Sequence, residues 1–156
     1  MAAYAGTFHP RLGKMFNATP PVVWHCPVEA SGGLYSGDFV VRTSGYIVEY
    51  ASAGAICLGI LKEDTPSAAG EVEVLIATGQ TGILVPVHDV TASNSDIEAD
   101  DHGCPTYDLN FVTAPHWYVD KAMSGATITV QQFRGALAEV NGLVLITINT
   151  GVREVD

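Results

Sequence analysis

The sequence predicts an all-β fold, either a compact β-barrel or a sandwich, with an extended N-terminal arm. From residue 37 onward, short apolar runs rich in β-branched and aromatic residues recur between glycines, and several alternate apolar with polar residues. No stretch repeats apolar residues at helical spacing for long enough to form an independent helix. The 156 residues are enough for one domain with its own core.

The first 36 residues have no apolar period. Prolines and glycines interrupt every candidate helix or strand, but four aromatic residues between positions 4 and 24 argue against a solvated tail. These are Tyr4, Phe8, Phe16 and Trp24. We therefore interpret residues 1–36 as an extended arm whose aromatic side chains are buried in a neighbouring molecule or against the β domain, residues 37–156.

The chain carries few charges, and they are unevenly distributed. It has 7 basic and 17 acidic residues, a formal net charge of −10, and 47% of its residues are hydrophobic. An acidic body repels nucleic acid, and a weakly charged, apolar chain predicts a partner interface, with a homotrimer as the expected self-association. Residues 1–28 contain Arg11 and Lys14 and no acid, so the arm is expected to dock on an acidic protein surface.

The predicted strands of the first half follow one another closely. They are residues 39–43, 46–50, 56–61, 71–74 and 82–87. Gly54 marks the boundary between the second and the third of these strands. Glutamate alternates with valine in the fourth, so Val72 and Val74 are expected to face the core. Pro86 predicts that the fifth strand lies at a sheet edge or ends there, because proline has no N–H to donate.

A polar and acidic stretch, residues 88–102, is predicted to be a surface connection between two halves. Beyond it, residues 126–131 and 143–148 are predicted strands, and only residues 116–124 and 135–141 could hold a short helix. No apolar run is long enough to cross a bilayer and no signal-peptide core is visible, so no membrane partner is predicted.

Three segments of the first half are echoed in the second. SGDFVVRTSG, LGILKE and AAGEVEVLIATG correspond to DHGCPTYDLN, FRGALAEV and VNGLVLITINTG. This pattern indicates a weak internal duplication with halves at residues 37–87 and 103–150. Chance similarity between short glycine-bounded strands explains the pattern equally well.

The strongest catalytic candidates are histidines and carboxylates, which supply acid–base groups and metal ligands. They are His88, Asp89, Asp100, Asp101, His102 and the nearby Cys104. Their spacing matches no motif that would bring them together, so a solvated connection is the better interpretation. His25 and Cys26 are adjacent on an extended chain and point to opposite sides, so they could not share a proton.

The three cysteines are odd in number and have no CxxC spacing, which predicts reduced thiols and neither a disulfide set nor a zinc site. Cys57 is expected to be a small buried residue. The sequence therefore predicts no catalytic residue, no metal site and no cofactor. His116, Trp117 and Tyr118 are candidate interface aromatics, which either stack on a sugar or base or pack in the core.

The combination GDFVV, GYIVEY, LGILKE and AAGEVEVLIATGQTGILVPV in residues 37–87 resembles the small decoration, or cement, proteins of tailed-phage heads. Gly37-Asp38, Gly59 and Gly70 match that pattern, whereas Gly103-Cys104-Pro105 departs from it in the second half. The resemblance implies a non-enzymatic virion protein, assembled in the host cytoplasm, that clusters as trimers on the outer capsid surface. Its arms would reach over neighbouring major-capsid subunits.

Two alternatives remain open from the sequence. One is a β-sandwich carbohydrate-binding module of a head fibre or tail, which would use His116, Trp117 and Tyr118. The other is a β enzyme that would use the loop of residues 88–104.

Overall fold

The computed structural model describes residues 4–30, 32–51, 56–91, 95–123 and 125–155. Gly54, residues 1–3 and 31 of the predicted arm, and residues 92–94 of the predicted connection lie outside these ranges. The described residues form β1 (Arg11–Met15), β2 (Val23–Val28), β3 (Phe39–Thr43), β4 (Tyr46–Glu49), β5 (Cys57–Leu61), β6 (Gly70–Ile76), β7 (Thr81–His88), a 3₁₀ helix (Ala99–Gly103), β8 (Thr106–Phe111), β9 (Trp117–Asp120), β10 (Ile128–Phe133) and β11 (Leu143–Ile148). No helix within these ranges is long and apolar enough to cross a membrane.

Five strands of the second part of the chain close a barrel. Their order is β7-β11-β10-β8-β9, and the ring closes because β9 also pairs in parallel with β7. The other neighbours in the ring are antiparallel. Strand β1 pairs antiparallel with the first half of β7 and lies outside the ring. The predicted all-β barrel is therefore confirmed.

The first part of the chain forms a second sheet with the order β2-β6-β5-β3-β4 and antiparallel neighbours throughout. Strands β2 to β6 and strands β7 to β11 therefore have the same arrangement. If the five strands of each set are numbered in chain order, their order across the sheet is first, fifth, fourth, second, third in both sets. The two sets differ in that the second set is closed by the pairing of its first and third strands.

This repeated topology supports the predicted duplication but corrects its boundaries. SGDFVVRTSG holds β3 and DHGCPTYDLN holds most of β8, while the AAGEVEVLIATG and VNGLVLITINTG segments hold β6 and β11, so two of the three echoes are structurally equivalent. The third correspondence, of LGILKE with FRGALAEV, is wrong. LGILKE holds most of β5, and the strand equivalent to β5 in the second set is β10, which ends at the first residue of FRGALAEV. Strand β7, which the sequence places at the end of the first half, begins the second set.

The core runs from the barrel interior to the face of the second sheet. Trp117 on β9 is buried in this core, 5.2 Å from the ring of Phe39 and 6.0 Å from that of Tyr50. Its indole Nε1–H donates to Asp38 Oδ1 at 2.9 Å. Burial raises the pKa of the Asp38 carboxyl, although the hydrogen bonds from Trp117 and the Tyr35 amide oppose this. The Gly-Asp pair of the sequence pattern thus joins the second sheet to the barrel.

Pro86 does not lie on an edge strand, because β7 is flanked by β11 on one side and by β1 and β9 on the other. The amide of Val87 donates to the carbonyl of Gly142, just before β11. Because successive backbone nitrogens of a strand point to opposite sides, the nitrogen of Pro86 points away from β11. There β1 pairs no further than Leu84 and β9 begins to pair at Val87. The missing N–H of proline therefore falls between two partner strands.

The alternating strand confirms the predicted core face, since Val72 and Val74 are buried and Glu71 is exposed. Neither of the two segments that could have held a short helix contains one within the described residues. Residues 116–124 contain β9, and residues 135–141 form a loop between β10 and β11. The helix that does form, Ala99–Gly103, is short and lies inside the predicted connection.

The N-terminal segment is extended, as predicted, but it is not separate from the domain. It contributes β1 to the six-stranded sheet and β2 to the second sheet. Cys26, Val28 and Leu34 are members of the apolar cluster on the second sheet. The alternating residues of β2 thus complete the core on the N-terminal side of residue 37, where the sequence analysis places the start of the β domain.

Candidate docking surface

The first described aromatic residue of the N-terminal segment is buried against its own barrel. The ring centroid of Tyr4 lies 4.7 Å from that of Tyr118 and 5.3 Å from that of His88, and the side chain is only 6% exposed. Burial and the neighbouring Tyr118 raise the pKa of the Tyr4 hydroxyl to about 12. Tyr4 therefore anchors the segment and cannot contact a partner in this conformation.

Strand β1 carries two pairs of a cation and an aromatic ring. The Arg11 guanidinium lies 5.2 Å from the centroid of the Phe8 ring, and Lys14 Nζ lies 5.6 Å from that of Phe16. Both distances are within the reach of a cation–π contact. Arg11 and Lys14 are exposed, and neither forms an ion pair within the part of the chain that the structure describes. Phe8 and Phe16 are half-buried beside the two exposed cations, and we call these four residues the basic strip.

Trp24 is the most exposed of the four aromatic residues predicted to dock, Tyr4, Phe8, Phe16 and Trp24. Its side chain is 36% exposed on β2, and the Arg42 guanidinium from β3 lies 5.8 Å from its ring centroid. Arg42 also binds the carboxylate of Glu154 near the C-terminus. Trp24 is thus partly exposed on the second sheet, beside a cation from a neighbouring part of that sheet.

The three consecutive aromatic candidates of the second half do not form a binding surface. Trp117 is 1% exposed and Tyr118 is 3% exposed, and both lie on β9. His116 precedes the strand, is partly buried, and lies 5.5 Å from the His9 ring. The core-packing interpretation of Trp117 and Tyr118 is therefore correct, because a wall of the closed barrel leaves them no free ring face.

The predicted solvated connection contains a buried ion pair. Lys121 Nζ lies 3.2 Å from Asp101 Oδ2 and 2.7 Å from Glu98 Oε2, and the side chains of Lys121 and Asp101 are 5% and 1% exposed. The Tyr107 hydroxyl donates to Asp101 Oδ1 at 3.0 Å. Burial lowers the pKa of Lys121, but hydrogen bonds from the ammonium to the two carboxylates outweigh this and raise it.

Asp101 and His88 thus correct the prediction for residues 88–102. Asp101 holds the 3₁₀ helix to β9 and β8 through Lys121 and Tyr107, and His88 is the buried end of β7. Asp100, His102 and Cys104 are exposed, as a surface connection requires. Among the described residues, no group of three His, Cys, Asp or Glu side chains is arranged to hold a metal ion.

The cysteines are free, with Cys26 and Cys57 buried and Cys104 exposed. Burial raises the pKa of the Cys57 thiol to about 12, so it is a poor nucleophile. His25 is exposed on β2, where its Nε2 lies 3.6 Å from Glu73 Oε1. The prediction that His25 and Cys26 point to opposite sides is confirmed.

A groove that the sequence analysis missed lies between β1 and the second sheet. We call it the β1 groove; its volume is 390 Å³. Leu12, Val23 and Leu75 contribute apolar lining, and the exposed residues Arg11 and Lys62 line it as well. Lys62 Nζ lies 3.6 Å from Glu73 Oε2. The sequence offers no local signal for the groove, because its walls come from strands that are distant along the chain.

No protein-family model matches the chain, and no curated protein matches it.

Proposed function

We propose that this chain is a structural protein of a phage virion that binds the outer surface of the head and bridges major-capsid subunits. The observation that carries the proposal is the basic strip on β1, where exposed Arg11 and Lys14 lie beside Phe8 and Phe16. The strip belongs to a chain whose net charge is −10. Such a strip suits an acidic surface that the rest of the molecule would repel.

The exposed ring of Trp24 supports the same proposal. Aromatic and arginine side chains are enriched where protein interfaces lose their water, and Trp24 with Arg42 offers both on one surface. The resemblance of residues 37–87 to cement proteins adds a second, independent line of support. No catalytic role is assigned to any residue in this proposal.

Stabilisation of a shell follows from binding alone. A ligand that binds the assembled lattice and not its separate subunits shifts the equilibrium toward the lattice. Because contacts are repeated around the shell, a modest affinity at each position is sufficient. We therefore expect a rigid β body, fixed by its basic strip, to act without any bound cofactor.

The test measures co-sedimentation with undecorated heads of the phage that encodes the protein. Arg11→Ala combined with Lys14→Ala should weaken binding about two- to thirtyfold, because each exposed ion pair contributes about 0.2–1 kcal/mol. The double variant should also lose part of the salt dependence. Arg134→Ala is the matched control, since Arg134 is exposed near the end of β10. Absence of binding by the unaltered protein would reject the proposal.

The carbohydrate-binding alternative is not favoured. It depends on open faces of Trp117 and Tyr118, and both rings are buried. The enzymatic alternative is not favoured either. The carboxylate of Asp101, one of its candidate catalytic groups, already accepts hydrogen bonds from Lys121, Tyr107 and a backbone amide.

A further inference from the structure

Two histidines from distant parts of the chain meet at the surface of the molecule. His9 lies in the segment before β1, and His116 lies in the connection between β8 and β9. Their ring centroids are 5.5 Å apart, with 46° between the ring planes. His9 is exposed and His116 is half-buried. Neither ring forms a hydrogen bond or an ion pair with any residue that the structure describes, so the ring nitrogens are available to a ligand.

The backbone holds both histidines in place. The chain at His9 passes directly over Gly37, where an added Cβ would lie only 3.0 Å from the Cβ of His9. The amide of His116 donates to the carbonyl of Thr113 at 2.8 Å, and the next residue, Trp117, is anchored in the core. A ligand that binds both rings therefore meets two supports that are already positioned, and little order has to be imposed on the chain.

The distance between the rings is suitable for a single metal ion. Imidazole nitrogen is a preferred ligand of Zn²⁺, Cu²⁺ and Ni²⁺. With a metal–nitrogen bond of about 2.0–2.1 Å, each ring centre lies about 3 Å from the ion, so two rings on one ion have centres about 4.5–6 Å apart. The observed 5.5 Å is within this range. Rotation of the two side chains is enough to turn one nitrogen of each ring toward a shared ion.

The charges around the pair also favour a cation. The chain has a net charge of −10. The carboxyl group of Asp38 is close to His9: burial raises the pKa of Asp38, and the charge of His9 is one of the influences that oppose this rise. A cation bound at His9 would therefore lie in the field of an acidic group.

We propose that His9 and His116 form a binding site for a late first-row divalent cation, Zn²⁺ or Ni²⁺, with water as the remaining ligands. Two protein ligands bind such an ion more weakly than the four of a structural zinc site, so the ion exchanges with solvent. When bound, it joins residues 4–10 to the β8–β9 connection. This site does not depend on the proposed binding to phage heads.

Titration calorimetry with NiCl₂ tests the site. The background is Cys104→Ser, because Cys104 is an exposed thiol that could bind the ion by itself. One ion should bind per chain, and His9→Ala or His116→Ala should each weaken binding at least about tenfold. His25→Ala is the matched control, since His25 is another exposed histidine. Equal affinity of the His9→Ala, His116→Ala and His25→Ala proteins would overturn the proposal, as would absence of Ni²⁺ binding by the background protein.

Ni²⁺–nitrilotriacetate resin gives a test of the pairing itself, because the chelator leaves two coordination positions open for two imidazoles. The full chain without an added histidine tag should be retained, and His9→Ala or His116→Ala should elute at a lower imidazole concentration. The variant with both replacements should elute with the single variants, since one remaining histidine cannot form the pair. Elution of the unaltered chain together with the single variants would contradict the pairing.

Hydrogen exchange measures whether the ion joins the two segments. Saturating Zn²⁺ should slow amide exchange in residues 5–9 of the unaltered chain and should leave it unchanged in the His116→Ala protein. His116 lies outside this segment, so its replacement reports on the connection and not on the local chain. Circular dichroism checks that each variant is folded. Equal protection by Zn²⁺ in the two proteins would show that His116 is not a ligand and would overturn the proposal.

Discussion

Replacement of Asp101 by Asn tests the buried ion pair most directly, because it removes the charge and keeps the shape. Asp101 Oδ2 accepts from Lys121 Nζ at 3.2 Å and from the Glu98 amide at 2.9 Å, and Oδ1 accepts from the Tyr107 hydroxyl at 3.0 Å. An asparagine has one acceptor oxygen in place of two. With its oxygen toward Lys121 and the Glu98 amide, it can donate from its NH₂ group to the Tyr107 hydroxyl, which accepts as well as donates, so the principal loss is the negative charge beside Lys121.

The expected destabilisation follows from the burial of this pair. Loss of one partner of a buried ion pair costs about 3–5 kcal/mol, because the other charge remains without compensation. Glu98 still contacts Lys121 and its side chain is 42% exposed, so we expect a value near the lower end, about 3 kcal/mol. For a chain of this size, 1 kcal/mol lowers the melting temperature by about 2–4 °C, which gives a decrease of about 6–12 °C.

The assay is thermal unfolding followed by circular dichroism, with Asp100→Asn as the control. Asp100 is adjacent and exposed, so its replacement should change the free energy of unfolding by no more than about 0.5 kcal/mol. Because the folded pKa of Lys121 is raised, its stabilisation is present below the unfolded value near pH 10.4 and is lost as pH rises through the folded value. Equal melting temperatures for Asp101→Asn and Asp100→Asn would refute this account.

Three further predictions concern the core. Val74→Asp should abolish cooperative unfolding, because it buries an unpaired charge at a fully buried position; a folded, soluble variant would contradict the strand assignment. Gly59→Ala should lower the yield of folded protein, since a Cβ there would overlap the carbonyl oxygen of Leu75, and an unchanged urea midpoint would contradict this. Trp117→Phe removes the hydrogen bond to Asp38, which favours the charged carboxylate and opposes the raised pKa, so its destabilisation in urea should grow as the pH rises from about 4; a difference of the opposite sign would contradict the role of that bond.

The sequence alone was sufficient for features that depend on near neighbours. Alternation in β6 identified Val72 and Val74 as core residues, since successive side chains of a strand point to opposite faces. The apolar run of residues 143–148 predicted β11 with the same bounds that the structure shows. Strand β9 was missed although it is as long as β4, because no glycine marks its start as Gly45 marks the start of β4.

Only the tertiary structure decided which residues are accessible to a partner. Pro86 breaks no ladder because two different strands end on either side of it, and Asp101 is buried because Lys121, 20 residues later, returns beside it. Trp117 meets Asp38 across 79 residues of chain. Local patterns fix which way a side chain points from its own strand. Burial depends on which distant strand covers it, and here that is set by the closure of the barrel and its packing against the second sheet.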